Sequence, residues 1–127
     1  MEKRYKIAID VMGSDAGSAM MVRGAKMALE KRAELDLLLV GDEGEIKAAC
    51  GECGIDMSRV EILHASQVIT NYDSPATALF QKTDSSLVRA LSAAAESEDI
   101  VGLVNAGSTG ALIAGQSHRA EPSCLPP

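Results

Sequence analysis

Leu35-Asp36-Leu37-Leu38-Leu39-Val40 is an apolar run broken only by Asp36 and ended by Gly41-Asp42. A strand that is apolar at consecutive positions buries both faces, as in a parallel sheet with helices packed on either side. The flanking segments fit that frame. Tyr5 to Val11 alternates Ile7, Ile9 and Val11 with smaller or polar residues before Gly13, so it reads as a first strand. From Ser18, Met21, Val22, Ala25, Ala28 and Leu29 recur at helical spacing, with Arg23, Lys26, Glu30 and Lys31 on the opposite face. Glu43 to Cys53 predicts a second helix and Val60 to His64 a third strand. Pro75 to Ser97 reads as a helical region interrupted near Thr83-Asp84-Ser85, opened by Asp73 or Ser74 as cap with Pro75 in the first helical position. Ile100 to Val104 is the fourth strand.

Strands alternating with helices require right-handed crossovers. The expected fold class is therefore α/β, a doubly wound, mostly parallel sheet in three αβα layers, with ligands beyond the carboxyl ends of the strands. Asp10-Val11-Met12-Gly13-Ser14-Asp15, His64-Ala65-Ser66 and the loop after Val104 should meet at that edge. Residues 1–115 carry the pattern, whereas 116–127 lack apolar periodicity and end in two prolines, so an irregular tail that does not continue the fold is expected. The last helix is cut short before it can cross back over the sheet. The expectation is an amino-terminal part of a larger protein, with the fold incomplete in this chain.

With 127 residues and 46% hydrophobic content the chain suits one packed domain. One Phe, two Tyr and no Trp leave a core of aliphatic residues and Met, without platforms for stacking bases. A net charge of −6 with scattered basic residues disfavours nucleic acid or an anionic membrane as partner. No apolar stretch approaches the roughly 20 residues of a membrane span, so no membrane-spanning segment is expected and the default localisation is cytoplasmic. Cys50 and Cys53 form a C-x-x-C without a second pair or a nearby His, and Cys124 stands alone in the Pro-rich tail. No metal site is expected, and the thiols read as free.

Asn105-Ala106-Gly107-Ser108-Thr109-Gly110-Ala111 joins the fourth strand to Leu112-Ile113-Ala114, so a glycine-rich turn opens a helix. Free amides at a helix start suit an oxyanion, and Ser108 and Thr109 add hydroxyls, although plain capping would use the same residues. Lys82 precedes Asp84-Ser85-Ser86, setting a cation near hydroxyls at a second helix start; an exposed Lys beside a routine Ser cap would look the same. Asp10 and Asp15 flank Gly13, where carboxylates either meet a ligand or tie down the turn. His64 ends the third strand as a general base or, more often in such positions, as a hydrogen-bonded structural residue. There is no G-x-x-x-x-G-K-[ST], no G-x-G-x-x-G in the first loop and no nucleophile elbow, so no nucleotide cofactor is implied.

Six blocks stand in order: Asp10 to Asp15, Val40-Gly41-Asp42-Glu43, His64-Ala65-Ser66, Asp73-Ser74-Pro75, Lys82-Thr83-Asp84-Ser85-Ser86 and Asn105 to Ala111. In order and spacing they resemble the phosphate acyltransferase PlsX family of bacterial phospholipid synthesis, from about Tyr5 to Gly115. Ser14 stands where the family has a second Gly, and Phe80 and Gln81 where it has basic residues. The resemblance implies transfer of a fatty acyl group from acyl carrier protein to inorganic phosphate on a fold similar to the isocitrate and isopropylmalate dehydrogenase type. It implies Lys82, Ser85 and Ser86 as catalytic residues, and Asp10, Gly13, Asp15, Asn105, Gly107, Ser108, Thr109 and Gly110 as phosphate- and substrate-binding residues. No cofactor or metal is implied, and the full-length parent would be a homodimer. Two alternatives are a phosphotransacetylase-like enzyme using coenzyme A thioesters and a non-catalytic phosphate-binding α/β fragment.

Overall fold

The computed structural model describes residues 4–12, 17–67 and 84–105. Strand β1 (Tyr5–Asp10) is followed by helix α1 (Ser18–Lys31), strand β2 (Leu35–Gly41), helix α2 (Glu43–Cys53), a 3-10 turn (Met57–Arg59) and strand β3 (Val60–His64). Helix α3 (Ser86–Glu96) and strand β4 (Ile100–Asn105) complete the described part. All four strands are parallel in the order β3-β2-β1-β4, as the apolar run in β2 requires. The expected helix start at Asp73-Ser74-Pro75, the expected short last helix and the expected tail 116–127 lie outside the described residues.

Side chains that alternate along the strands build two cores. Ile9, Val11, Leu37 and Leu39 pack with Val22, Ala25 and Leu29 of α1 and with Ile46, Ala49 and Cys50 of α2. Ala8, Leu38 and Val40 point the other way, toward Ala90 of α3. Helices on both faces make the expected three-layer α/β arrangement. Cys50 is thus part of the apolar core, which raises its thiol pKa by burial, and Cys53 donates weakly to the Cys50 carbonyl at 3.8 Å.

Polar contacts close the ends. Asp36, the one polar residue of the β2 run, sits at its amino end and accepts two hydrogen bonds from Arg4, at 2.9 and 2.7 Å. Arg59 serves the opposite core: its guanidinium donates to Leu29 O at 2.9 Å, to Arg32 O, and to Leu35 O at 3.1 and 2.8 Å. One side chain thereby satisfies carbonyls left open at the end of α1 and the start of β2. Asp42 caps α2, accepting from Glu45 N at 2.9 Å, and Gly54 ends that helix in the left-handed region at φ 70°.

Gly41 lets the chain leaving β1 cross the end of β2. A Cβ there would lie 2.8 Å from Val11 Cγ2 and 2.8 Å from Met12 Cγ. Val11 is fully buried and β-branched, so it has little room to yield. Gly41→Ala is expected to destabilise the fold by about 1 to 3 kcal/mol through overpacking, read as a lower urea midpoint. An unchanged midpoint would show that the approach relaxes without cost.

Candidate functional site

The chain passes from β1 to β2 and β3 on one side, then returns to the other side of β1 for β4. The strand order therefore reverses between β1 and β4, and their carboxyl ends flank a crevice of the kind that receives ligands in open α/β sheets. Asp10 and Asn105, the last residues of these strands, are register partners there. Asp10 is only 3% exposed, and one of its carboxyl oxygens accepts from Met12 N at 3.0 Å. It ties down the start of the first loop. Met12 in turn reaches the next strand end, where its sulfur accepts from Asp42 N at 3.1 Å.

Helix α3 presents its N-terminus to the same edge, and contacts remote in sequence anchor it. The Ser66-Gln67 segment after β3 pairs with Asp84 to Ser86: Gln67 N donates to Asp84 O at 3.1 Å, and Ser86 N to Gln67 O at 2.9 Å. Asp84 N donates to the Gln67 side chain at 3.1 Å. The Asp84 carboxylate accepts from Ser66 N at 3.0 Å, from the Ser66 hydroxyl and from Arg89. These donors hold its pKa well below the usual carboxylate range, at about 2, with the Ser66 hydroxyl as the largest influence.

The two expected serines are fully buried but play different parts. Ser85 is the N-cap, its Oγ accepting from Val88 N at 3.2 Å. The Ser86 hydroxyl has no hydrogen-bond partner among the described residues. It lies close enough to the Asp10 carboxyl to act on it, and it lowers the Asp10 pKa, as does the Met12 amide. Burial outweighs both, so the Asp10 pKa is raised. A buried hydroxyl, a buried carboxyl and the positive end of a helix dipole thus converge where the strand order reverses, an arrangement suited to an oxyanion that can share a proton.

Of the expected site residues, the structure brings Asp10, Ser85, Ser86 and Asn105 to this edge. Gly13, Asp15, Lys82, Gly107, Ser108, Thr109 and Gly110 lie outside the described residues. His64 takes the structural part: its Nδ1 accepts from Glu43 N at 3.1 Å, helping Asp42 close the N-terminus of α2. Sequence reading missed Ser66 and Gln67 as anchors of α3, because strand-like pairing between distant segments leaves no local periodicity. Among the described residues no group of three or more His, Cys, Asp and Glu could hold a metal ion. Nor is any described helix long and apolar enough to cross a membrane.

The Asp84 anchor gives the fold an acid-sensitive contact. Because its pKa is lowered in the folded state, its contribution is present above the ordinary value of 3.8 and is lost as the pH falls through about 2. Urea unfolding between these limits should show stability declining with pH, and Asp84→Asn should flatten that decline. Parallel slopes in the two proteins would remove Asp84 from the acid response.

The family model described as fatty acid synthesis protein matches residues 5–122. A phosphate acyltransferase of Dictyoglomus turgidum is 40% identical over 108 residues, covering 85% of this chain and 32% of that protein. A phosphate acyltransferase of Mesoplasma florum is 40% identical over 114 residues, 90% of this chain and 34% of its own length. One from Neisseria meningitidis serogroup C is 38% identical over 108 residues, 85% of this chain and 30% of that protein. The chain spans about a third of the length of these curated relatives. With nearly all of its residues matched by the family model, the chain belongs to the fatty acid synthesis protein family.

Proposed function

We propose that this chain is the phosphate-holding part of a phosphate acyltransferase, which moves a fatty acyl group from acyl carrier protein to inorganic phosphate and gives acyl phosphate for phospholipid synthesis. The observation that carries this reading is the buried Ser86 hydroxyl, without a partner of good geometry among the described residues, at the N-terminus of α3 beside Asp10, the register partner of Asn105. Relatives named phosphate acyltransferase support it. In the reaction a phosphate oxygen bonds to the thioester carbonyl carbon, the carbonyl oxygen gains negative charge, and the C–S bond breaks with its electron pair going to sulfur. Such chemistry needs phosphate held within attack distance and donors aimed at the developing charge.

In this reading Lys82 supplies the cation, and Ser85, Ser86, Ser108 and Thr109 supply hydroxyls. Amides at Gly107 and Gly110 complete the cradle with Asn105, while Asp10, Gly13 and Asp15 shape the facing loop. The enzyme would be a cytoplasmic homodimer without a cofactor, and the division into residues 1–115 and a tail of 116–127 belongs to the same proposal.

The test supplies the full-length protein with an acyl carrier protein thioester, a coenzyme A thioester and labelled phosphate. Acyl phosphate from the carrier protein thioester is expected. Turnover of the coenzyme A thioester alone would move the assignment to a phosphotransacetylase-like enzyme, and no product from either donor would sink it. Lys82→Ala should weaken phosphate binding by about 1 to 3 kcal/mol through loss of a charged hydrogen bond. Calorimetry showing equal affinity would take Lys82 out of the cradle.

A further inference from the structure

Asp10 and Ser86 are polar groups that the fold alone gives little reason to bury. Asp10 is 3% exposed and Ser86 0%, and the serine hydroxyl has no hydrogen-bond partner among the described residues. Among the described residues nothing around Asp10 carries a compensating charge: its register neighbours are Val40 of β2 and Asn105 of β4, Met12 offers an amide, and α3 brings Ser86. Arg89, the cation on the described part of α3, is committed to Asp84. A carboxylate and a phosphate brought together in such a place cannot both be fully charged without strong repulsion, whereas a shared proton relieves it.

Resting on the phosphate acyltransferase reading, we propose that Asp10 and Ser86 form a proton relay for acyl transfer. Dihydrogen phosphate gives its proton to Ser86 Oγ as the Ser86 O–H proton passes to the Asp10 carboxylate. The freed phosphate oxygen bonds to the thioester carbonyl carbon, and the C–S bond breaks with its electron pair leaving on sulfur. The proton then returns from Asp10 through the same hydroxyl to the sulfur. Acyl phosphate and a thiol are released, and Asp10 is again a carboxylate. Burial raises the Asp10 pKa, which makes it a better proton acceptor than an exposed carboxylate.

The pair is tested in the full-length protein by steady-state turnover against pH, together with urea unfolding. Asp10→Asn keeps an acceptor for the Met12 amide but cannot take the proton; kcat should fall on the order of 100-fold or more, with KM for phosphate changed less than about threefold, and the acid limb of the pH profile should disappear. Ser86→Ala should lower kcat by a similar factor. Removing an unsatisfied hydroxyl should at the same time leave the urea midpoint unchanged or higher. Loss of activity without loss of stability, in both variants, is the signature of a relay rather than a structural role.

The proposal is overturned if either variant keeps wild-type kcat, if the loss falls on KM alone, or if the acid limb persists in Asp10→Asn. It is likewise overturned if activity falls only in step with a lower urea midpoint. Wild-type protein that makes no acyl phosphate overturns the functional reading and the relay together; wild-type turnover with active variants overturns the relay alone.

Discussion

The parallel pairing of β1 between β2 and β4 is the constraint on which the rest of the described structure depends. A parallel strand paired on both edges has no backbone group left for a partner outside the sheet, and its side chains on both faces need cover. Helices α1 and α2 cover one face and α3 the other, with Leu37 and Leu39 under the first pair and Leu38 and Val40 under the second. Because every strand runs in the same direction, their carboxyl ends share one edge. The reversal of order beside β1 then opens the crevice there, with Asp10 and Asn105 on its two sides.

That edge is also where the fold departs from the burial rules that govern the remainder. Asp10, Ser85 and Ser86 are the polar residues buried among the described ones. Ser85 is explained by its cap, but the charge on Asp10 is disfavoured by burial and the Ser86 hydroxyl has no hydrogen-bond partner of good geometry among the described residues. Unsatisfied buried groups are costly and persist where function or an absent partner requires them. The Asp84, Ser66, Gln67 and Arg89 contacts work in the opposite sense, holding the helix start rigidly to the turn after β3. A fixed helix N-terminus keeps its donors aimed at one point.

The elements were legible because their signals are local. Leu35 to Val40 could hardly form anything but a strand buried on both faces, and the spacing of Val22, Ala25 and Leu29 marked the buried stripe of α1. Observed boundaries fall within a residue of the periodic segments: β4 runs to Asn105 rather than Val104, since Asn105 still pairs with Asp10. The candidate site was legible only in part. Asp10, Ser85, Ser86 and Asn105 were singled out by position after a strand or before a helix. Their individual parts were not, because a capping serine and an unpartnered serine look alike in a sequence.

By itself, then, the sequence determined the alternation of strands and helices, the parallel α/β class and the edge at which polar turns would gather, since periodicity and turn chemistry act over a few neighbouring residues. The tertiary structure alone decided the strand order, the pairing of Ser66 and Gln67 with the start of α3, the service of Arg59 to three distant carbonyl groups and the closure of α2 by His64. It also decided that Asp10 and Ser86 face each other, 76 positions apart in the chain. Such contacts depend on how elements cross one another, and that depends on the whole set of packed faces rather than on any segment's own preference.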